Sequence, residues 1–201
     1  AAAENGVYVC AGLTEYQDDR VFNSAVFVDS TGGLRAVHRK INELDIAHRL
    51  YAQGDRLQVV QTEWGVFGVM ICADAFASGQ VISRSLGYMG ADIIVSPSSW
   101  AVRDPGQFGA ENPYGAIWRE NYAPVARDFS MWIIGVSNVG TVDDGPWKGK
   151  TCLGASLVFG PEGNQVLQGP HGKSADAILY VDAELVPRPA RGHEWSSILN
   201  G

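Results

Sequence analysis

The sequence predicts a single α/β domain in which helices cover the faces of a β-sheet. Three observations favour this fold class. Strand-like and helix-like segments alternate along the 201 residues, a pattern typical of α/β proteins. A hydrophobic content of 46% and a charged content of 18% are ordinary for a globular protein with a substantial core. No repeat, linker or change of composition divides the chain, so we assign residues 1–201 to one domain.

The first third of the chain predicts several strands. The opening residues AAAENG resemble the last turn of a helix that stops at Gly6. Two β-rich segments follow, separated by the polar residues QDD, and LRAVHRK predicts a third strand that ends at Lys40. The segments RLQVVQTE and GVFGVMIC predict a hairpin around WG, with its second strand ending at Cys72. Because the chain starts on the end of a helix and without a methionine, we expect an N-terminal portion of the fold to be absent.

The rest of the chain predicts helices between buried strands. Residues 74–90 show apolar side chains at helical spacing, namely Val81, Leu86 and Met89. A second helix is predicted over AIWRENYAPVARDFS, with Pro124 as a kink. TVDDGPWKGKTCLG predicts a loop. Strands are predicted in ADIIVSPSSW, in MWIIGVSNVG, in a hairpin over ASLVFGPEGNQVLQG and, finally, in ADAILYVDAEL.

Charge and cysteine content exclude several classes of function. A formal net charge of -7 argues against nucleic acid or an anionic membrane as a partner. No stretch approaches the roughly 20 apolar residues of a membrane span. Three widely spaced cysteines form neither a disulfide framework nor a metal motif, and His38, His171 and His193 do not cluster. We therefore expect a cytoplasmic protein without a metal or cofactor.

Two residues are candidates for chemistry. Cys72 ends a strand where a helix is predicted to start, and N–H groups at such a position stabilise a thiolate and lower the thiol pKa. The alternative is a small buried hydrophobe, the usual role of a free cysteine. Lys40 ends its strand after two basic residues. It is either a solvated surface lysine or an ammonium that polarises a carbonyl and holds a thiolate.

The order of short motifs resembles the carbon–nitrogen hydrolase family, the nitrilase and amidase superfamily. The chain has Phe22-Asn23-Ser24-Ala25, then Arg39-Lys40, then a Gly-x-x-Ile-Cys-x-Asp element from Gly68 to Asp74. GADII follows from residue 90, and SNVG and the PEG turn come later. Each motif is weak alone, but their order and spacing together are specific, and they extend to about residue 190.

The resemblance implies a fold and a mechanism. The fold is an α-β-β-α sandwich, and two such sandwiches commonly pair, so a homodimer or higher homo-oligomer is expected. The implied catalytic set is Glu–Lys–Cys, in which Cys72 attacks the carbonyl or nitrile carbon. Lys40 and the backbone N–H of Ala73 would stabilise the oxyanion, and a glutamate would be the general base. Asp74 is assigned to capping the turn after the nucleophile.

The chain departs from the family pattern at two glutamates. The catalytic glutamate is expected before the region where this chain begins, so the chain as given would be a poor catalyst. Glu15 falls at a later family glutamate that we interpret as structural. A further pocket glutamate corresponds to about His48, with Glu43 and Asp45 as rivals, although His48 also fits a surface residue. Trp100 falls where the pocket wall is expected, but it could also close the core.

Three functions are consistent with these patterns. The first is a hydrolase of non-peptide C–N bonds in a small amide, N-carbamoyl compound or nitrile, with the Cys-Ala-Asp continuation favouring an amidase. The second is a non-catalytic nitrilase-like module for binding or assembly, favoured by the missing glutamate and by His48. A glutamine amidotransferase with a Cys–His–Glu triad fits least, because MICADAF lacks the glycines of a nucleophile elbow and because His193 and Glu194 are adjacent.

Overall fold

The computed structural model describes residues 1–109, 111 and 113–188. The α-helices of this part are α1 (Ala2–Asn5), α2 (Val81–Met89) and α3 (Ala116–Phe129). The strands are β1 (Val9–Gln17), β2 (Arg20–Val28), β3 (Leu34–Arg39), β4 (Val59–Thr62), β5 (Gly65–Val69), β6 (Ile93–Ser98), β7 (Ala101–Val102), β8 (Trp132–Ser137), β9 (Val139–Thr141), β10 (Thr151–Leu153), β11 (Leu157–Phe159) and β12 (Gln165–Gln168).

Strands β1, β2 and β3 form an antiparallel three-stranded sheet. The turn between β1 and β2 places Asp18 and Asp19 at φ 50° and 57°, the backbone that suits a tight hairpin between twisted strands. Helix α1 ends at Gly6, which adopts the left-handed conformation. The predicted helix end and the predicted neighbouring strands are therefore confirmed.

The second sheet has six strands in the order β12-β11-β8-β6-β5-β4. Its central strand β6 runs parallel to β5 and β8, whereas the outer pairs are antiparallel. The predicted hairpins β4–β5 and β11–β12 are confirmed. The carboxyl ends of β5, β6 and β8 lie at one edge of the sheet, which is where parallel strands place loops that bind ligands.

The sheet of β1, β2 and β3 packs face to face with the six-stranded sheet. Helices α2 and α3 cover the other face of the six-stranded sheet. Small and aromatic side chains of the three-stranded sheet, such as Phe27, pack against Val69 and Ile71. On the opposite face, Leu86 of α2 and Val125 of α3 pack in one cluster with residues of β6 and β8. Helix layer, large sheet and small sheet thus stack in the order of the predicted α-β-β-α sandwich.

The helix predicted over residues 74–90 begins later than expected. Two short 3-10 turns, Cys72–Phe76 and Ser78–Gln80, precede α2. Gly79 and Gln80 have φ of 67° and 51°, and this left-handed backbone interrupts any helix that would run through them.

The residues that α2 buries are only partly those named for its spacing. Val81 and Met89 are exposed, whereas Ile82 and Leu86 are buried. The apolar spacing predicted a helix in this region without identifying its buried face.

Two other predictions are wrong. The segment ADAILYVDAEL, residues 175–185, forms no strand. It packs Val181 and Ala183 against the large sheet, while the indole of Trp132 donates a hydrogen bond to the carbonyl of Glu184 at 2.8 Å. Cys152 lies in β10 and is buried, rather than in a loop.

Candidate active site

A cavity of about 710 Å³ opens at the edge where the strands of the large sheet end. Its walls come from β1, β2, the loops after β3 and β5, the end of β6, and the β8–β9 connection. Among the described residues that line it, Lys40 is the one charged side chain. Its lining includes Cys10, Asn23, Lys40, Cys72, Ser98 and Ser99. A shallower groove of about 440 Å³ beside Arg39 and Arg56 is lined by described residues that include no cysteine, serine or threonine, so the first cavity is the candidate site.

Cys72 enters the cavity from the end of β5 with a strained backbone. Its φ is 46°, a left-handed conformation that costs a non-glycine residue roughly 1–2 kcal/mol. The turn is closed by the N–H of Asp74, which donates to the carbonyl of Ile71 at 2.9 Å. A sharp turn of this kind directs the side chain away from the strand and toward the cavity.

The surroundings of Cys72 act on its thiol in opposite directions. Burial is the largest influence and raises the pKa of the Cys72 thiol, whereas the positive charge of Lys40 lowers it. Hydrogen bonds with the backbone of Ser99 and the side chain of Ser98 also lower this pKa. The net direction is upward, which corrects the sequence-based expectation of a lowered pKa. The reason is the burial of the sulfur, which outweighs the contacts that lower this pKa.

Ala73 follows the nucleophile, as the proposed oxyanion donor must. Its backbone hydrogen-bonds the Cys72 sulfur, which lowers the pKa of that thiol. The side chain is buried, so its N–H lies in a site with little access for bulk water.

Lys40 is held at the end of β3 by backbone contacts. Its N–H donates to Asn23 at 2.9 Å, and its carbonyl accepts from Gly54 at 2.8 Å. A Cβ at Gly54 would lie 2.0 Å from the Arg39 carbonyl oxygen, so a glycine is needed for this approach. The Lys40 side chain is 4% exposed, which rules out a solvated surface lysine.

Glu43 is the partner of Lys40. Its Oε2 lies 3.0 Å from Lys40 Nζ, and the Glu43 side chain is 2% exposed. Its other oxygen, Oε1, is buried and has no hydrogen-bond partner among the described residues. Of the three residues considered for the pocket acid, Glu43 is therefore the buried one, and it compensates the charge of Lys40.

His48 and Trp100 lie outside the cavity lining formed by the described residues. The His48 side chain is 58% exposed, and its Nε2 contacts the Glu43 carbonyl. Trp100 lies outside the cavity wall formed by the described residues, and it stacks on Tyr114 with ring centroids 4.5 Å apart. The Tyr114 hydroxyl donates to the Trp100 carbonyl at 2.7 Å. His48 therefore fits its alternative role as a surface residue, and Trp100 fits its alternative role as a core residue.

Asp74 makes more contacts than a cap requires. As predicted, it accepts from the N–H of its own turn, at Ile71. It also accepts from Ile41 and Asn42 and contacts the ring of His38, none of which the sequence patterns had marked. Glu15 has the expected structural role, because it pairs with Arg39 and accepts from Ser24.

The described residues include no group of three or more His, Cys, Asp or Glu side chains placed to hold a metal ion. His193 and Glu194 lie outside the described residues. None of the described helices has both the length and the apolar character that crossing a membrane requires.

The fold and the cavity define an α/β sandwich with a thiol and an ammonium at the edge of its large sheet. The chain belongs to the carbon-nitrogen hydrolase family, whose model matches residues 1–186. It is 28% identical over 165 residues to a protein of Schizosaccharomyces pombe named Probable nitrilase, covering 81% of this chain and 53% of the relative.

Two further proteins are similar. A Pseudomonas (R)-stereoselective amidase is 25% identical over 195 residues, or 97% of this chain and 65% of the amidase. The crystal structure of a Helicobacter pylori G27 carbon-nitrogen hydrolase superposes with a TM-score of 0.74 at 24% identity, covering 84% of this chain and 60% of that one. This likeness confirms the sandwich fold. The chain thus spans between about half and two thirds of the length of these proteins.

Proposed function

We propose that this chain contributes the nucleophile and the oxyanion site of a hydrolase that cleaves non-peptide C–N bonds. The observation that carries the proposal is the meeting of Cys72 and Lys40 in one cavity, with the ammonium charge acting on the thiol. These two groups come from different sheets and are 32 residues apart in the sequence. Their meeting in the cavity is therefore a result of the fold and not of closeness in the sequence.

The proposed reaction proceeds through a thioester. The Cys72 sulfur attacks the carbonyl carbon of an amide, and the carbonyl oxygen gains negative charge beside Lys40 and the Ala73 N–H. The C–N bond then breaks, and the nitrogen leaves as ammonia with the proton that the thiol lost. Water hydrolyses the thioester to a carboxylic acid and restores the thiol. A nitrile would give a thioimidate by the same attack.

The cavity favours small uncharged amides among the possible substrates. Its apolar and hydroxyl-bearing walls carry the single charge of Lys40, which Glu43 already compensates. A substrate carboxylate, as in an N-carbamoyl amino acid, would find no free cation among the described lining residues. The Cys-Ala-Asp sequence at residues 72–74 adds support for an amidase.

Mass spectrometry of the acylated protein tests this function. The protein is mixed with propionamide and quenched in acid, and we expect the acyl mass on the peptide that contains Cys72. Cys72→Ala should abolish both the adduct and any ammonia release. Cys10→Ala is the matched control, because Cys10 lines the same cavity and burial raises its pKa to about 12. Ammonia release that survives Cys72→Ala would refute the assignment.

A non-catalytic binding module is the second candidate. It is supported by the raised pKa of Cys72 and by the compensation of Lys40, since both lower the reactivity of the thiol. In that case calorimetry would show propionamide binding that is equally strong in Cys72→Ala, with no acyl adduct in either protein.

Oligomerisation in the cytoplasm is also part of the proposal. Apolar side chains such as Tyr16 and Leu34 are exposed on the three-stranded sheet, and all three cysteines are free thiols. Sedimentation in reducing buffer would distinguish a homodimer or larger assembly from a monomer.

A further inference from the structure

The nucleophile and the cation of the candidate site stand on different sheets. Lys40 follows β3 of the three-stranded sheet, and Cys72 follows β5 of the six-stranded sheet. The contact between the two sheets is an apolar packing of side chains. Since apolar packing is not directional, a polar contact is needed to fix the separation between sulfur and ammonium.

The carboxylate of Asp74 makes such a contact on both sides of Lys40. Its Oδ1 accepts from the N–H groups of Ile41 at 3.1 Å and Asn42 at 2.8 Å. Its Oδ2 lies 2.7 Å from Nε2 of His38, two residues before Lys40. One side chain therefore contacts the His38 ring before the lysine and the backbone N–H groups of Ile41 and Asn42 after it.

The same carboxylate also holds the turn that carries Cys72. Oδ2 accepts from the N–H of Ile71, directly before the cysteine, at 2.9 Å. A second connection runs in the other direction, because the Asn42 side-chain amide donates to the carbonyl of Ala73, directly after the cysteine, at 2.6 Å. Lys40 is thus held on both flanks by contacts with the nucleophile turn, and that turn is held by one bond within it at Ile71 and by one bond from Asn42 at Ala73.

Burial makes these bonds strong and specific. Asp74 is 0% exposed and His38 is 1% exposed, so water does not compete for the carboxylate. A hydrogen on His38 Nε2 satisfies this contact, since a carboxylate oxygen accepts. Among the described residues, His38 Nδ1 has no hydrogen-bond partner and is buried.

The bonds also offset a local strain. Cys72 has the left-handed φ of 46°, and such strain persists where surrounding contacts over-determine the backbone. The bonds to the residues on either side of Cys72 supply that constraint. If they were lost, the turn would relax and the sulfur would move relative to Lys40.

We infer that Asp74 is a positioning residue that sets the separation between Cys72 and Lys40, because it contacts the His38 ring before the lysine, the backbone N–H groups after it, and the backbone of the nucleophile turn. Asn42 assists through its bond to Ala73. This role rests on the proposed function of Cys72 and Lys40, and it goes beyond the capping of a single turn.

Thiol alkylation measures the coupling between the two groups without requiring turnover. The rate of Cys72 modification by iodoacetamide is followed against pH, with the modified peptide identified by mass spectrometry. In the otherwise unchanged protein, Lys40→Met should slow this reaction at neutral pH on the order of tenfold, because an adjacent cation stabilises the thiolate. In an Asp74→Asn background, the same Lys40→Met change should alter the rate less than about twofold.

Asp92 provides the matched control. It is another partly buried carboxylate on the large sheet, and it accepts from the N–H of Val66 at 2.8 Å, at the far end of β5 from Cys72. Asp92→Asn should lower the melting temperature but leave the Lys40→Met effect at its original size. Asp74→Glu, which keeps the charge, should restore part of the coupling if its longer side chain reaches the same donors.

Asn42→Ala keeps the inference testable if Asp74→Asn fails to fold, because it removes one bond and leaves Asp74 in place. We expect it to shrink the Lys40→Met effect by an intermediate factor. A Lys40→Met effect of full size in both the Asp74→Asn and Asn42→Ala backgrounds would overturn the inference. The alkylation result is independent of the thioester result. A protein can show a full-size Lys40→Met effect on Cys72 alkylation and still form no thioester with propionamide.

Discussion

The buried pair of Lys40 and Glu43 provides the sharpest test of the site's electrostatics. Nζ and Oε2 are 3.0 Å apart and both side chains are almost fully buried. At an effective dielectric constant of about 20, unit charges at that distance attract by about 5.5 kcal/mol. Desolvation offsets much of this attraction, and removing one partner of a buried pair typically costs about 3–5 kcal/mol. For a chain of 201 residues, this loss corresponds to a fall of roughly 6–20 °C in Tm.

The two single variants are expected to act alike on stability and oppositely on the thiol. Lys40→Met and Glu43→Gln should each lower Tm, and the double variant should lower it by less than their sum, with a coupling of about 2 kcal/mol. Lys40→Met should raise the pKa of Cys72 further and slow its alkylation by iodoacetamide. Glu43→Gln should lower that pKa and speed alkylation, because it leaves the ammonium charge uncompensated beside the sulfur.

Differential scanning calorimetry and the alkylation rate at neutral pH measure these effects. Arg56→Met is the control, because Arg56 and Asp55 form an exposed ion pair, and it should leave both quantities unchanged. If the single variants were additive in Tm and neither changed the alkylation rate, the pair would not be a buried ion pair acting on Cys72.

Three further outcomes are expected. Because burial raises the pKa of Cys72, its alkylation rate should keep rising with pH beyond the ordinary thiol pKa of about 8.5, and a plateau below pH 7 would contradict this. Trp100→Ala should destabilise the protein by about 3–5 kcal/mol, because it empties an aromatic cluster, and calorimetry should show this loss while Cys72 in the folded variant is alkylated at the original rate. His48→Ala should change stability by less than about 0.5 kcal/mol and leave alkylation unchanged, since the imidazole is exposed; slower alkylation would return His48 to the site.

Local patterns predicted the hairpins well and the ends of other elements poorly. The β4–β5 hairpin follows from alternation and turn residues that lie close together in the sequence. The start of α2 depends on left-handed backbone at Gly79 and Gln80, which the apolar spacing of the helix does not encode. The spacing also leaves the buried face undetermined, because the buried Ile82 lies four residues before Leu86 and is as well spaced as the exposed Val81 and Met89.

The segment at residues 175–185 shows how a strand-like run can mislead. Ile178, Leu179 and Tyr180 are all exposed, whereas Val181 and Ala183 pack on the large sheet. The segment therefore packs on the sheet at its end but forms no strand. A run of apolar residues does not report whether a neighbouring strand is available for pairing.

At the site, the residue types were predictable and their electrostatics were not. The motif order marked Cys72 and Lys40 before any geometry was known. The direction of the Cys72 pKa shift depends on how deeply the sulfur is buried, which the sequence does not show. Likewise, the choice of Glu43 over His48 as the acid beside Lys40 depends on the burial of the two side chains. The bonds of Asp74 to Ile41 and Asn42 join segments more than 30 residues apart, which no local pattern describes.

The raised pKa of Cys72 constrains how the proposed reaction must run. A thiol with such a pKa is almost wholly protonated at neutral pH, so its attack on a carbonyl needs a base that takes the proton as the C–S bond forms. Lys40 is unsuited to that role because its ammonium must stay charged to stabilise the oxyanion. Glu43 does not supply this base in the proposed reaction, because it lies outside the cavity lining formed by the described residues and its Oε2 is paired with Lys40. The proposed reaction therefore needs a further proton acceptor, and the family resemblance implies that this acceptor is a separate glutamate.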